Sequence, residues 1–179
     1  PPMAAKLIGA LNEQGFEAWA VGGCVRDSLL GKDPKDWDLC TSARPDQVKE
    51  CFAGIYKVLE TGIKHGTVTV LAGNETYEIT TYRAEGDYED HRRPEAVTFV
   101  SSLEEDLARR DFTINAMAMG PDGTVIDPFG GQGDLKSGVL RCVGDPAQRF
   151  GEDALRILRL LRFASVLDFA VEPETIAAA

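Results

Sequence analysis

The sequence predicts an α/β fold, and three observations carry that prediction. Phe16-Glu17-Ala18-Trp19-Ala20-Val21 reads as a strand, Gly22-Gly23 breaks it, and residues 25–30 read as a short helix closed by Gly31. Residues 56–59, 67–71 and 76–82 alternate apolar and polar side chains with the period of half-buried strands. Residues 3–14 place Leu7, Ile8 and Leu11 on one side of an amphipathic helix that Gly15 ends.

The remaining elements follow in order. Residues 36–40 form a strand. Pro45 opens a second short helix with Val48 and Phe52 behind it. Gly73-Asn74 joins the last two of the three alternating strands as a hairpin. Residues 84–96 are polar and aperiodic, a mobile loop. Residues 103–119 are helical in parts, and Pro121-Asp122-Gly123 turns the chain into a short strand. Glycines 130, 131, 133 and 138 form a glycine-rich region, and residues 146–167 read as helices. No internal repeat is visible.

Composition narrows the function classes. A chain of 179 residues with 44% apolar content builds one domain, or one and a half. Cys24, Cys40, Cys51 and Cys142 form no C-x-x-C pair and no zinc spacing, which predicts reduced, mostly buried thiols of a cytoplasmic protein. No apolar run reaches the length of a membrane span and no signal peptide is visible, so no membrane association is expected. The net charge of −10 argues against this segment gripping nucleic acid by itself, since phosphate binding requires a basic surface.

Two short strings carry chemistry. On a strand, side chains at i and i+2 share a face, which would put Asp36 and Asp38 roughly 6–7 Å apart with Trp37 turned toward the core. Paired carboxylates suit Mg²⁺, which keeps one or two protein carboxylates and fills its shell with water and phosphate. Two such ions clamp the attacking and leaving oxygens of an in-line displacement. Taken alone, the pair also fits a solvated strand end. At Gly22 and Gly23 the missing Cβ atoms allow phosphate oxygens to approach the backbone, and Arg26 adds a fixed fork of donors. Taken alone, the glycines also fit a plain strand-turn-helix.

In sequence order, Gly22-Gly23-x-Val25-Arg26-Asp27-x-Leu29-Leu30-Gly31 and Asp36-x-Asp38-x-x-Thr41 resemble the signature of class II tRNA nucleotidyltransferases, the CCA-adding enzymes with bacterial poly(A) polymerases as close relatives, within the polymerase-β-like superfamily. Arg109-Arg110-Asp111-Phe112-Thr113-Ile114-Asn115-Ala116 is similar to the family's sugar-recognition motif. Asp127-Pro128-Phe129-Gly130-Gly131 to Asp134 is similar to its hinge motif. Glu152-Asp153-x-x-Arg156-x-x-Arg159-x-x-Arg162-Phe163 is similar to its base-recognition motif. The four motifs cover residues 21–163.

The resemblance implies a nucleotidyltransferase head over residues 1–138, with a five-stranded mixed sheet flanked by helices. Residues 139–179 would begin an α-helical neck, and the body and tail that grip RNA would be absent. The implied activity is Mg²⁺-dependent, template-independent transfer of CMP and AMP from CTP and ATP to the 3′ end of tRNA. Asp36 and Asp38 would hold the metal, with Glu78 as a third carboxylate that either assists or is simply an exposed strand residue. Gly22, Gly23 and Arg26 would take the triphosphate, and Arg110 and Asp111 the ribose, whose 2′-OH distinguishes RNA building blocks.

On a helix, Asp153 and Arg156 share a face. A carboxylate accepts from the exocyclic amine of C or A, and an arginine donates to ring acceptors. G and U would leave buried groups unpaired, a penalty on the order of 1–3 kcal/mol each. Arg159 and Arg162 drift around the helix and would meet triphosphate, RNA or acidic neighbours. Ile157, Leu158, Leu161 and Ala164 would be the stripe that packs the neck. His65 reads as a structural or loop residue, and His91 belongs to the mobile loop. CC-adding members carry a deletion in that loop. The stretch Asp87-Tyr88-Glu89-Asp90-His91-Arg92-Arg93-Pro94 is intact here, which favours CCA or A addition. A Gly-Arg-Arg-Phe stretch typical of the poly(A) polymerase branch is absent from residues 61–66. A poly(A) polymerase, an A-adding partial enzyme and an inactive nucleotide-binding module remain as alternatives.

Overall fold

The computed structural model describes residues 1–85 and 97–179. The chain begins with α1 (Pro2–Glu13), β1 (Ala18–Val21), α2 (Gly23–Leu29), β2 (Asp38–Thr41) and α3 (Pro45–Phe52). The strands β3 (Lys57–Gly62), β4 (Thr67–Ala72), β5 (Glu75–Thr81), β6 (Arg83–Glu85) and β7 (Val97–Phe99) follow. Next come α4 (Leu103–Ala108), β8 (Ala118–Met119), β9 (Val125–Ile126), α5 (Gly131–Ser137) and β10 (Val139–Leu140). The chain closes with α6 (Pro146–Glu152), α7 (Leu155–Leu167), β11 (Ala170–Val171) and α8 (Pro173–Ala177).

The α/β expectation holds. The main sheet runs β3-β4-β5-β2-β1-β8-β9, so two short strands extend the five expected. It is mixed: β2 and β5 are parallel, and the other neighbours are antiparallel. The hairpin at Gly73-Asn74 forms as expected, pairing β4 with β5 from Thr67↔Thr80 to Ala72↔Glu75.

Helix α1 buries Ala4, Leu7, Ile8 and Leu11, and α3 buries Val48 and Phe52. With inward residues of β4 and β5 such as Val68, Val70 and Ile79, they build the principal hydrophobic cluster. A second cluster, Val21, Cys40, Tyr82, Leu103, Leu107, Ala116, Ala118 and Val143, anchors α4. The principal cluster also contains Leu140, Phe150, Leu160 and Phe163, so apolar packing runs through the expected boundary at 138/139.

Several local expectations are corrected. Asp36 lies outside the strand, because β2 begins at Asp38; strand alternation therefore does not place the two acids. Trp37 is half-buried and packs on the principal cluster. Residues 84–85 are not loop: β6 pairs with β7, Ala84 opposite Thr98. The loop 87–94 and His91 lie outside the described residues.

The glycine-rich region is largely one helix, α5. Asp127 caps it, accepting from the N–H groups of Gly131 at 2.7 Å and Gln132 at 2.9 Å. Residues 152–156 are not one helix either. α6 ends at Glu152, Asp153 is extended (φ −144°, ψ 104°), and α7 begins at Leu155. The Asp153 carboxylate accepts from Leu155 N–H at 2.9 Å, and this local bond competes with helix continuation. The inward stripe of α7 is Arg156, Leu160 and Phe163, not the expected Leu158 and Leu161, each 62% exposed. Ile157 and Ala164 do pack at the margin of the cluster.

Gly131 seats α5 on the segment that follows Asp111. A Cβ there would lie 2.2 Å from the Thr113 carbonyl oxygen and 2.9 Å from its carbon. Backbone, unlike a flexible side chain, does not yield to such a contact. Gly131→Ala should therefore destabilise the protein by about 1–3 kcal/mol through overpacking, read as a lowered urea midpoint with unchanged slope.

Candidate active site

The break between β1 and α2 opens the site. Gly22 sits at φ 78°, ψ −131°, a conformation that L side chains rarely adopt, and a Cβ there would lie 3.1 Å from Arg110 Nη1. Glycine at this point therefore admits the Arg110 guanidinium to the floor of the cleft. From α2, Arg26 donates through Nε to Asp27 Oδ1 at 2.8 Å and through Nη1 to Asn115 Oδ1 at 2.8 Å.

The acids stand next to this turn. Asp38 opens β2 and lies in parallel register with Glu78 of β5. Asp36 is exposed in the preceding loop. The Asp38 carboxyl is held above its ordinary pKa. Displacement of bulk water by the walls of the cleft is the larger cause, Glu78 adds repulsion, Arg110 opposes the shift, and Asp36 adds slightly more repulsion. An electrostatically crowded set of hard oxygen donors is the kind of site a divalent cation relieves, so the residues present fit Mg²⁺. Among the described residues no group of three or more His, Cys, Asp and Glu forms a metal cage. The donors here match an ion that completes its shell with phosphate and water.

Arg109, Arg110 and Asp111 are fixed from below. Asp106 on α4 is fully buried and accepts from Arg83 N–H, Arg109 Nε and Arg110 Nη2, each at 3.2 Å. Burial pushes its carboxyl up, yet Arg109 and Arg110 outweigh that and hold it below the usual carboxylate range. Asp111 is also buried. Its Oδ1 accepts from Phe112 N–H at 2.9 Å and Asn115 Nδ2 at 3.4 Å, and its Oδ2 from Arg159 Nε at 2.6 Å.

The last wall comes from the helix break and α7. Arg156, 6% exposed, donates to Glu152 Oε2 at 2.6 Å, the Arg149 carbonyl at 3.1 Å and the Arg109 carbonyl at 3.2 Å. Phe163 lies edge-on to Phe112, with ring centroids 5.9 Å apart. Three guanidinium groups surround the Phe163 ring: Arg26 at 5.2 Å, Arg159 at 5.3 Å and Arg162 at 6.0 Å.

These parts enclose one cleft of about 740 Å³. It brings together Gly22, Gly23, Arg26, Asp36, Asp38, Arg110, Asp111, Asp153, Arg156, Arg159 and Arg162. Glu78 is not part of its lining and reaches the site through its register with Asp38. Sequence reasoning missed Lys32, Lys35, Arg109, Asn115 and Phe163 in the lining, and Asp106 beneath it. Asn115 and Phe163 stood inside motifs already quoted. What was missing was any sign that they touch residues from other motifs.

Comparison with known proteins places this geometry in context. Residues 18–141 match the family described as the poly A polymerase head domain. The CCA-adding enzyme of Levilactobacillus brevis is 54% identical over 176 residues, covering 98% of this chain and 44% of that protein. The crystal structure of the Bacillus stearothermophilus CCA-adding enzyme in complex with CTP superposes with a TM-score of 0.88 at 46% identity, covering 99% of this chain and 42% of the other. A tRNA nucleotidyltransferase complexed with a primer tRNA and an incoming ATP analogue superposes with a TM-score of 0.76 at 36% identity, covering 96% and 48%. The chain thus spans less than half the length of these relatives.

Asp106 supports the arginine wall, so its loss should be felt in stability. Asp106→Asn leaves two arginines short of their buried partner and should cost about 3–5 kcal/mol at neutral pH by urea unfolding. Because its folded pKa lies below the unfolded value, the stabilisation is complete above about pH 4 and fades as pH falls through the folded value. The gap between wild type and variant should therefore narrow on acidification.

Proposed function

The chain belongs to the poly(A) polymerase head-domain family, and we propose that it is the nucleotide-binding and catalytic portion of a CCA-adding tRNA nucleotidyltransferase. Residues 1–138 are the head and residues 139–179 the start of the neck. The substrates are CTP, ATP and the 3′ end of tRNA, in the cytoplasm. The names of the relatives support this reading, and so do their structures with CTP and with primer tRNA and an ATP analogue. The observation that carries it is convergence: acids near residue 37 and arginines near residue 156 line the same cleft.

The oxygen of the RNA 3′-hydroxyl attacks the α-phosphorus and its proton passes to solvent, a P–O bond forms, the bond to the β-phosphate bridge breaks, and pyrophosphate leaves. Asp36 and Asp38 would hold Mg²⁺, which neutralises developing charge on the phosphates. Glu78 would orient the attacking hydroxyl, a role its register with Asp38 supports. Arg26 meets the triphosphate, the backbone at Gly22 and Gly23 lets it approach closely, and Arg110 and Asp111 address the ribose.

Asp153 and Arg156 read the base. They flank the helix break instead of sharing a helical face, and Arg156 is held by two carbonyls and Glu152. A guanidinium so held presents a fixed edge, which favours recognition by complementary hydrogen bonding without a nucleic-acid template. Arg159 and Arg162, stacked about Phe163, supply charge for phosphates.

The test uses the full-length parent protein with a tRNA lacking its 3′ terminus, given CTP and ATP together and separately. Addition that stops after C, C and A supports the reading, whereas a long A tail selects the poly(A) polymerase alternative. Asp38→Asn should reduce incorporation by at least 100-fold, roughly the loss of a principal transition-state contact, while CTP binding persists. Asp153→Ala should admit UTP and GTP. Retained preference for C and A in that variant would remove its assignment.

A further inference from the structure

We infer that Asn115 is a positioning residue that couples the triphosphate and sugar subsites by gripping Arg26 with one end of its amide and Asp111 with the other. The inference rests on the proposed roles of Arg26 and Asp111. Asn115 is buried, 5% exposed, and its side chain bridges two motifs far apart in sequence. Its Oδ1 accepts from Arg26 Nη1 at 2.8 Å, and its Nδ2 donates to Asp111 Oδ1 at the longer distance of 3.4 Å.

The charges on either side fix the amide's orientation. A guanidinium only donates and a carboxylate only accepts, so oxygen must face Arg26 and nitrogen must face Asp111. Few other side chains of this size do both. Aspartate keeps the acceptor but loses the donor and adds repulsion toward Asp111. Leucine keeps the bulk and loses both.

The amide also sets the outer contacts. Arg26 continues to Asp27 and over the Phe163 ring, and Asp111 continues to Arg159, which stands over the same ring. A closed circuit results: Arg26, Asn115, Asp111, Arg159 and Phe163. Ribose selection and triphosphate grip then depend on one buried amide that need not touch the nucleotide. The segment carrying it is itself seated by Gly131 against Thr113.

The experiment measures binding of CTP, dCTP and inorganic tripolyphosphate by calorimetry, with circular dichroism confirming the fold of each variant. Asn115→Leu should weaken tripolyphosphate and CTP by about tenfold, the scale of one or two lost hydrogen bonds, and should shrink the CTP/dCTP affinity ratio. Asn115→Asp should keep tripolyphosphate binding within about twofold, because the acceptor for Arg26 survives, and still shrink the ratio. That split is one a merely structural role would not produce.

Asp111→Asn is the control for the sugar reading. If it shrinks the ratio while both Asn115 variants leave it intact, the bridge is overturned. If Asp111→Asn itself leaves the ratio intact, the sugar reading fails. The bridge is then judged on tripolyphosphate alone, where wild-type affinity in Asn115→Leu overturns it and a selective loss relative to Asn115→Asp supports it.

Discussion

The cleft depends on the docking of α7 onto the turn at Arg109–Asp111. The conspicuous contact is the Arg159–Asp111 ion pair, but the Arg159 side chain is 47% exposed, and a pair screened to that degree is worth no more than about 1 kcal/mol. More weight falls on Arg156, whose side chain is 8% exposed and donates to the Arg109 carbonyl of the turn, while its bonds to the Arg149 carbonyl and Glu152 tie α7 to α6. Hydrogen bonds from a charged donor contribute about 1.5–3 kcal/mol each. The edge-on contact of Phe163 with Phe112 adds about 0.5–1.5 kcal/mol beyond the area it buries. The side chain assigned to the base is therefore also the main fastener of the wall on which it stands, and its rigidity follows from that second duty.

A chain of net charge −10 nevertheless builds a cleft in which eight lysines and arginines face six aspartates. The acidic surplus lies on other surfaces. Two kinds of pairing inside the cleft have different effects. Asp106 consumes the charge of Arg109 and Arg110 from beneath, so these side chains are placed at the cost of part of their field. Arg162, by contrast, rests on an aromatic ring, which orients the cation while leaving its charge available to an anion.

Much of this was legible in the sequence, for an identifiable reason. The glycines, Asp36, Asp38, Arg110, Asp111 and the α7 arginines sit in short contiguous strings whose chemistry is local. So do α1, α3 and the β4–β5 hairpin, where apolar periodicity and a glycine turn decide the element. The errors fell where local and tertiary preferences compete. Asp153 is a good helix cap as well as a passable helix residue, and only the contacts of Arg156 with the Arg109 turn show which choice prevails. The inward stripe of α7 was misjudged because leucine is normally the better core residue. Here the neighbouring carbonyls and Glu152 accept a buried arginine and turn Leu158 and Leu161 outward. Asp106 carries no signature at all, and Asn115, though inside a quoted string, shows no sign there of its contact with Arg26.

The parallel pairing of β2 with β5 makes the acid pair the product of a non-local contact. β3, β4 and β5 associate through neighbouring segments, and such contacts close quickly because little chain entropy is lost in forming them. Asp38 and Glu78 meet only when β2 returns across α3, β3 and β4 to lie beside β5. That closure is among the slower steps of a mixed sheet. Asp38 and Glu78 therefore stand side by side only where distant segments have paired, and this acid pair costs more chain entropy to assemble than the hairpins beside it.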